Sequence, residues 1–172
     1  LTGLAISFRY QIGVFAVGVA LYYFFTKQFV PLVNYCLGIL ICFSATQGVV
    51  DYFIWGYPFA EFFGYVTYNM DAGAAYMTNK NYFMYFLVLS GVLFVPLGML
   101  MMIGFFKSYK KYAILFIPTL LFLLFHSFYP NRQERFILTV LPYFIILGTM
   151  GFALFHTRRS EKWWNVSTRC GR

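Results

Sequence analysis

Four successive polar residues between two apolar stretches are the first feature of this sequence that could do chemistry. They read Arg132-Gln133-Glu134-Arg135, with Pro130 and Asn131 before them and Phe136 and a long apolar run after. Two guanidinium groups offer planar forks that match phosphate oxygens, and a carboxylate between them can hold one fork in place. Such a set binds an anionic group, and it stabilises developing charge where that group leaves in a reaction. His126 lies a turn before the loop and adds a group able to accept or donate a proton near neutral pH. Arg9 and Gln11 lie in the first apolar stretch, where an ionisable side chain is costly and faces a bundle interior, a wet cavity or the interface. Asp51 stands at the mouth of another apolar stretch, where a carboxylate needs a partner. No Cys, His, Asp and Glu spacing fits a metal, and no cofactor is implied; Cys36, Cys42 and Cys170 read as structural.

The elements that must position these residues follow from hydropathy. Of the 172 residues, 61% are hydrophobic and only 10% charged, against about 25% charged in a soluble domain, so the solvent of this chain is lipid. Crossing about 30 Å of hydrocarbon takes roughly 20 helical residues. Five apolar runs come close to that length or exceed it: 3–25, 29–50, 82–106, 112–128 and 136–155. Each is expected to be helical, because an unpaired backbone group in lipid costs several kcal/mol. The predicted fold class is therefore an all-α integral membrane protein, a polytopic bundle of about five transmembrane helices. Pro96, Pro118 and Pro142 fall inside runs and predict kinks.

The formal net charge of +8 is not a nucleic-acid signal, because the basic residues sit in short gaps between apolar runs. They orient the bundle instead. Lys27, Lys107, Lys110, Lys111 and the basic residues of 157–172 fall on one side, which the excess of Lys and Arg makes cytosolic. Leu1, the 51–81 loop and the 130–135 loop then face outward, into a periplasm or a lumen. Stretch 157–172 is a basic cytosolic tail, so the acceptor triplet at Asn165-Val166-Ser167 is expected to stay unglycosylated. The 51–81 loop carries ten aromatic residues and three acids, too aromatic for a solvated loop; it predicts helices lying at the membrane surface. No signal peptide is visible and no Met begins the chain, so a piece of a larger protein is the simpler expectation.

Asn-Arg-Gln-Glu-Arg-Phe at 131–136, after a proline and before an apolar run containing Pro142, resembles a signature of glycosyltransferase family 22. These are lipid-phosphate-mannose-dependent mannosyltransferases of N-glycan and GPI-anchor assembly, with bacterial relatives. Their common eukaryotic form is His-Lys-Glu-Glu-Arg-Phe. Glu134, Arg135 and Phe136 match it, Arg132 is a conservative match, and Asn131 and Gln133 depart from it, which points to a bacterial branch or an altered substrate. Gly3 to Gln11 is similar to the family's glycine-to-arginine span. Asp51-Tyr-Phe-Ile-Trp-Gly56, with Tyr68-Asn69 and Gly73 behind it, is similar to its Asp-x-x-x-Tyr-Gly loop.

The resemblance implies the C-type glycosyltransferase fold and an active site on the extracytoplasmic side. It implies a donor sugar on polyprenyl or dolichyl phosphate, a glycan or glycolipid acceptor, contact with membrane lipid and no nucleic acid. The membrane would be a bacterial inner membrane, or the endoplasmic reticulum in a eukaryote. Arg132, Gln133, Glu134, Arg135, Arg9, Asp51 and His126 would form the substrate-binding set. The family's main acid is expected upstream of Leu1, which makes this the later half of an enzyme, inactive by itself. The competing reading is a transporter or flippase fragment for an anionic lipid or sugar; it requires ionisable residues at mid-membrane depth and inverted repeats, and neither is visible.

Overall fold

Long runs of Leu, Ile, Val and Phe with no alternation of polar residues favour helices, and among the described residues every regular element is helical. A computed structural model describes residues 1–71, 83–128 and 136–170, giving backbone alone for 71, 84 and 155–170. The helices are α1 (Thr2–Phe8), α2 (Ile12–Phe25), α3 (Phe29–Phe43), α4 (Val49–Trp55), α5 (Ala60–Asp71), α6 (Met84–Val92), α7 (Val95–Lys107), α8 (Ala113–Phe128) and α9 (Ile137–Cys170). A π-helical segment, Ser44–Gly48, joins α3 to α4. The resulting helix, Phe29–Trp55, has 27 residues and is one of two among the described residues that are long and apolar enough to cross a membrane. The other is Ile137–Leu154, with 18 residues. Three shorter apolar helices, Ile12–Phe25, Val95–Lys107 and Ala113–Phe128, accompany them.

Two of the runs expected as single helices are broken, and a third, 29–50, is interrupted by the π-helical segment without being broken. The run 3–25 breaks at Arg9, whose backbone is extended (φ −148°, ψ 103°). The chain restarts through three tight i→i+3 bonds, from the N–H groups of Ile12, Gly13 and Val14. The run 82–106 breaks at Leu93 and Phe94, and Pro96 falls in the first turn of α7. There its missing N–H costs nothing, whereas within a continuous helix its ring would clash with the preceding turn. Pro118 and Pro142 are carried inside α8 and α9. Helix α9 also continues through the stretch expected as a basic tail.

The core lies among α6, α7, α8 and α9. Tyr85, Leu89, Phe105, Phe122, Leu123, Val140, Phe144 and Leu147 are its fully buried members among the described residues. Helix α7 packs chiefly on α9, α2 on α8, and α1 on α3. Glycines set the closest approaches. A Cβ on Gly104 would strike the Gly148 carbonyl, one on Gly151 would strike the Gly104 carbonyl, and one on Gly18 would strike Pro118. Small residues at such crossings let backbones meet, as lipid-embedded helices require. By contrast, Val30, Val33, Leu37, Leu40 and Ile41 leave an apolar flank of α3 exposed. An apolar strip of that length is unfavourable in water and neutral against lipid tails.

Candidate functional site

The polar side chains converge where α1 meets α2 and where α5, α8 and α9 come together. At the α1–α2 break the chain turns two polar residues toward different elements. Arg9 Nη1 donates to Thr139 Oγ1 in the first turn of α9 at 3.1 Å. Gln11 Nε2 donates to the Tyr65 hydroxyl on α5 at 2.9 Å. The break thereby ties the N-terminal helices to two later ones. Tyr10 between them packs edge-on against Phe62 and lies 5.0 Å, centroid to centroid, from Tyr65.

Helix α5 owes its position to Asp51. Gly56 ends α4 in the left-handed conformation (φ 80°), which glycine adopts without strain, and its N–H returns to the Tyr52 carbonyl. Phe59 then packs its ring over Gly48 and stacks on Phe43 at 5.4 Å, fixing the turn. This folds the start of α5 back onto Asp51, which is fully buried. Asp51 Oδ2 accepts the backbone N–H of Glu61 at 3.0 Å, and Oδ1 accepts Gln47 Nε2 at 2.8 Å. Gln47 Nε2 also lies 3.3 Å from Glu61 Oε2. The carboxylate thus serves as an N-cap supplied from another helix, with the favourable sign for the α5 dipole. The π-helical segment brings Gln47 into this set, and it sets Thr46 Oγ1 2.6 Å from Ser7 Oγ on α1.

Beside α5 lies a cavity of about 280 Å³. One wall is the α5 face bearing Phe62, Tyr65, Val66, Asn69 and Met70, spaced as one helical stripe. Tyr10, Gln11 and Val14 form a second wall, and Phe125, His126 and Phe136 a third. His126 is buried, stacked on Phe122 at 4.0 Å and flanked by Phe125 and Phe136. Its Nδ1 lies 2.9 Å from the Phe122 carbonyl oxygen.

The residues singled out from sequence therefore separate. His126 lines the cavity, and Arg9 is tied to the first turn of α9. Asp51 is not part of the lining; it holds the helix that forms one wall. Arg132, Gln133, Glu134 and Arg135 lie outside the described residues. Gln47, Glu61 and Tyr65 were not singled out, and Asn69 was named only as part of the resemblance to the family's loop. Their signal was present: Gln47 and Asp51 are four apart, and so are Glu61, Tyr65 and Asn69 in turn, the spacing of one helix face. Among the described residues no group of His, Cys, Asp and Glu is placed to hold a metal.

The family model described as the Alg9-like mannosyltransferase family matches residues 1–170. The chain belongs to that family. It is a glycosyltransferase of a membrane-associated kind, and the membership supports a lipid-linked sugar donor and a glycan acceptor in general terms. No curated protein and no solved structure matches the chain significantly. The transporter or flippase alternative gains no support from the family match.

Proposed function

We propose that the chain moves a mannose-type sugar from a polyprenyl- or dolichyl-phosphate donor to a lipid-linked or glycan acceptor, on the extracytoplasmic side of a membrane. In this reading the runs 3–25, 29–50, 82–106, 112–128 and 136–155 are five crossings, interruptions included. The 51–81 and 130–135 loops face outward, and the 157–172 end is cytosolic. The C–O bond from the sugar's anomeric carbon to the donor phosphate breaks as a bond to an acceptor hydroxyl forms. The hydroxyl's proton passes to a base, and the lipid phosphate leaves with the bonding electrons. Arg132 and Arg135 bind that phosphate, Glu134 holds one guanidinium in place, Gln133 adds a polar contact, and Arg9 contributes charge from the facing break.

The observation that carries this reading is the cavity's position. Its wall includes Phe125, His126 and, beside them, Phe136, the residue after Arg135, within a chain whose family transfers mannose. The test is Arg135→Glu and Arg135→Lys in the full-length enzyme, with transfer measured from a radiolabelled polyprenyl-phosphate mannose donor. Charge reversal is expected to lower transfer by about 10²-fold or more at wild-type expression, the scale of losing one group that stabilises transition-state charge. Unchanged transfer by Arg135→Glu overturns the phosphate-binding assignment.

A further inference from the structure

His126 is on the cavity wall yet only 3% exposed. A carbonyl oxygen only accepts, so the 2.9 Å contact with Phe122 assigns the ring proton to Nδ1. The neutral ring then presents Nε2 as an acceptor, and Nε2 has no partner among the described residues. On another wall, Gln11 uses its amide nitrogen on Tyr65, which leaves Oε1 as a second acceptor without a partner among the described residues. Polar groups out of contact with water are ordinarily paired, and two acceptors on residues that line one space, His126 buried and Gln11 half-buried, call for an occupant that donates. A hydroxyl donates; an ionised phosphate oxygen does not. The remaining wall is largely aromatic, with Tyr10, Phe62, Phe125 and Phe136, and ring faces suit the apolar C–H faces of a pyranose. At about 280 Å³ the space has room for one pyranose ring.

We propose that this cavity is a monosaccharide subsite in which one pyranose hydroxyl donates to His126 Nε2 and another to Gln11 Oε1. The assignment rests on the glycosyltransferase reading above and divides its labour: the sugar ring sits against α5 and α8, and the phosphate belongs to the arginines. The ring can come from the donor or from the acceptor, and the chemistry it offers the cavity is the same.

The experiment is binding of methyl α-mannoside to the detergent-purified full-length enzyme, read by saturation-transfer NMR without any transfer step. His126→Asn keeps an amide N–H for the Phe122 carbonyl and deletes Nε2; His126→Gln can place its amide oxygen where Nε2 lies. Affinity should fall about tenfold in His126→Asn and return to within about threefold in His126→Gln. Equal affinity in His126→Asn and wild type, or no saccharide binding by wild type, overturns the subsite. Should His126→Asn fail to fold, mannosides lacking one hydroxyl each are titrated against wild type. At least one must bind about tenfold more weakly, and uniform affinity across the series overturns the proposal. In transfer assays, a KM that rises in His126→Asn for the donor alone assigns the ring to the donor, and for the acceptor alone to the acceptor. A wild type that binds the mannoside but takes no sugar from polyprenyl phosphate refutes the donor reading and leaves the subsite standing.

Discussion

Replacing Asp51 by asparagine keeps the shape of the side chain and tests whether its two oxygens hold α5 in place. Both accept: Oδ1 from Gln47 Nε2 at 2.8 Å, Oδ2 from the Glu61 N–H at 3.0 Å. An amide has one oxygen, so Asp51→Asn must point an NH₂ group at one of these donors. If it points at the Glu61 N–H, the first turn of α5 loses its cap. If it points at Gln47, that amide can turn to accept, but its oxygen then sits about where Nε2 was, 3.3 Å from Glu61 Oε2. Either way one buried polar group is left unsatisfied, at about 1–3 kcal/mol. Interhelical hydrogen bonds in membrane bundles average nearer 0.6 kcal/mol, which moves the expectation to about 1–2 kcal/mol. For a chain of this length that is a fall in Tm of about 2–8 °C. Glu61→Gln alone should cost little, since its amide oxygen can still accept from Gln47. In the double variant the turned Gln47 accepts from both new amides, so the pair should be more stable than the sum of the singles by about 1 kcal/mol. The assay is thermal unfolding of all four proteins in one detergent, followed by tryptophan fluorescence. Additivity within about 0.5 kcal/mol would refute the three-residue chain.

Two further outcomes follow from the packing and from the α1–α2 break. Gly104→Ala or Gly151→Ala should each destabilise by about 1–3 kcal/mol, because the added methyl meets the backbone of the facing helix. Gly13→Ala, whose Cβ meets nothing within 4 Å, should be neutral or slightly stabilising in the same melting experiment. Arg9→Ala should change stability by no more than about 0.5 kcal/mol, since its bond to Thr139 is exposed, yet lower transfer by about tenfold or more. Thr139→Val is the control; if it lowers transfer as much as Arg9→Ala, Arg9 acts as a tie between helices and not as a charge.

The sequence carried the helical class and the apolar runs, because the period and length of Leu, Ile, Val and Phe stretches depend on local composition alone. The site was legible only in part. Arg9 and His126 stood out as polar residues in apolar surroundings, and they do sit at the convergence of α1, α2, α5, α8 and α9. Asp51 stood out for the same reason, but its role depends on which helix end folds back to meet it. That was set by Gly56 and by Phe59 seating on Gly48, contacts between residues far enough apart that no local pattern marks them. Gln47 was hidden inside an apolar run, and Glu61 and Tyr65 by their aromatic neighbours. The abundance of rings between Asp51 and Asn81 suggested a membrane-surface belt, and the four-residue spacing of polar groups within it carried the finer message.

The interruptions in the helices fall where the polar chemistry is. In lipid a helix is favoured because it satisfies its own backbone, so a break persists only where other groups complete the pairing. At Arg9–Gln11 the chain restarts through i→i+3 bonds, and both polar side chains find partners on other helices. At Ser44–Gly48 the π-helical segment adds a residue to the turn, and Thr46 and Gln47 reach α1 and α5. A regular helix through either point would rotate the residues beyond it relative to those before it. Gln11 would then no longer share a wall with Tyr65, nor Asp51 meet the start of α5. The remaining interruption, at Leu93–Phe94, has Pro96 beside it and no such polar pair, which fits a packing role at the close contact of Gly98 with Ser90. The first two interruptions are thus part of how an apolar chain assembles a polar cavity wall from helices that sequence alone would draw as uninterrupted rods.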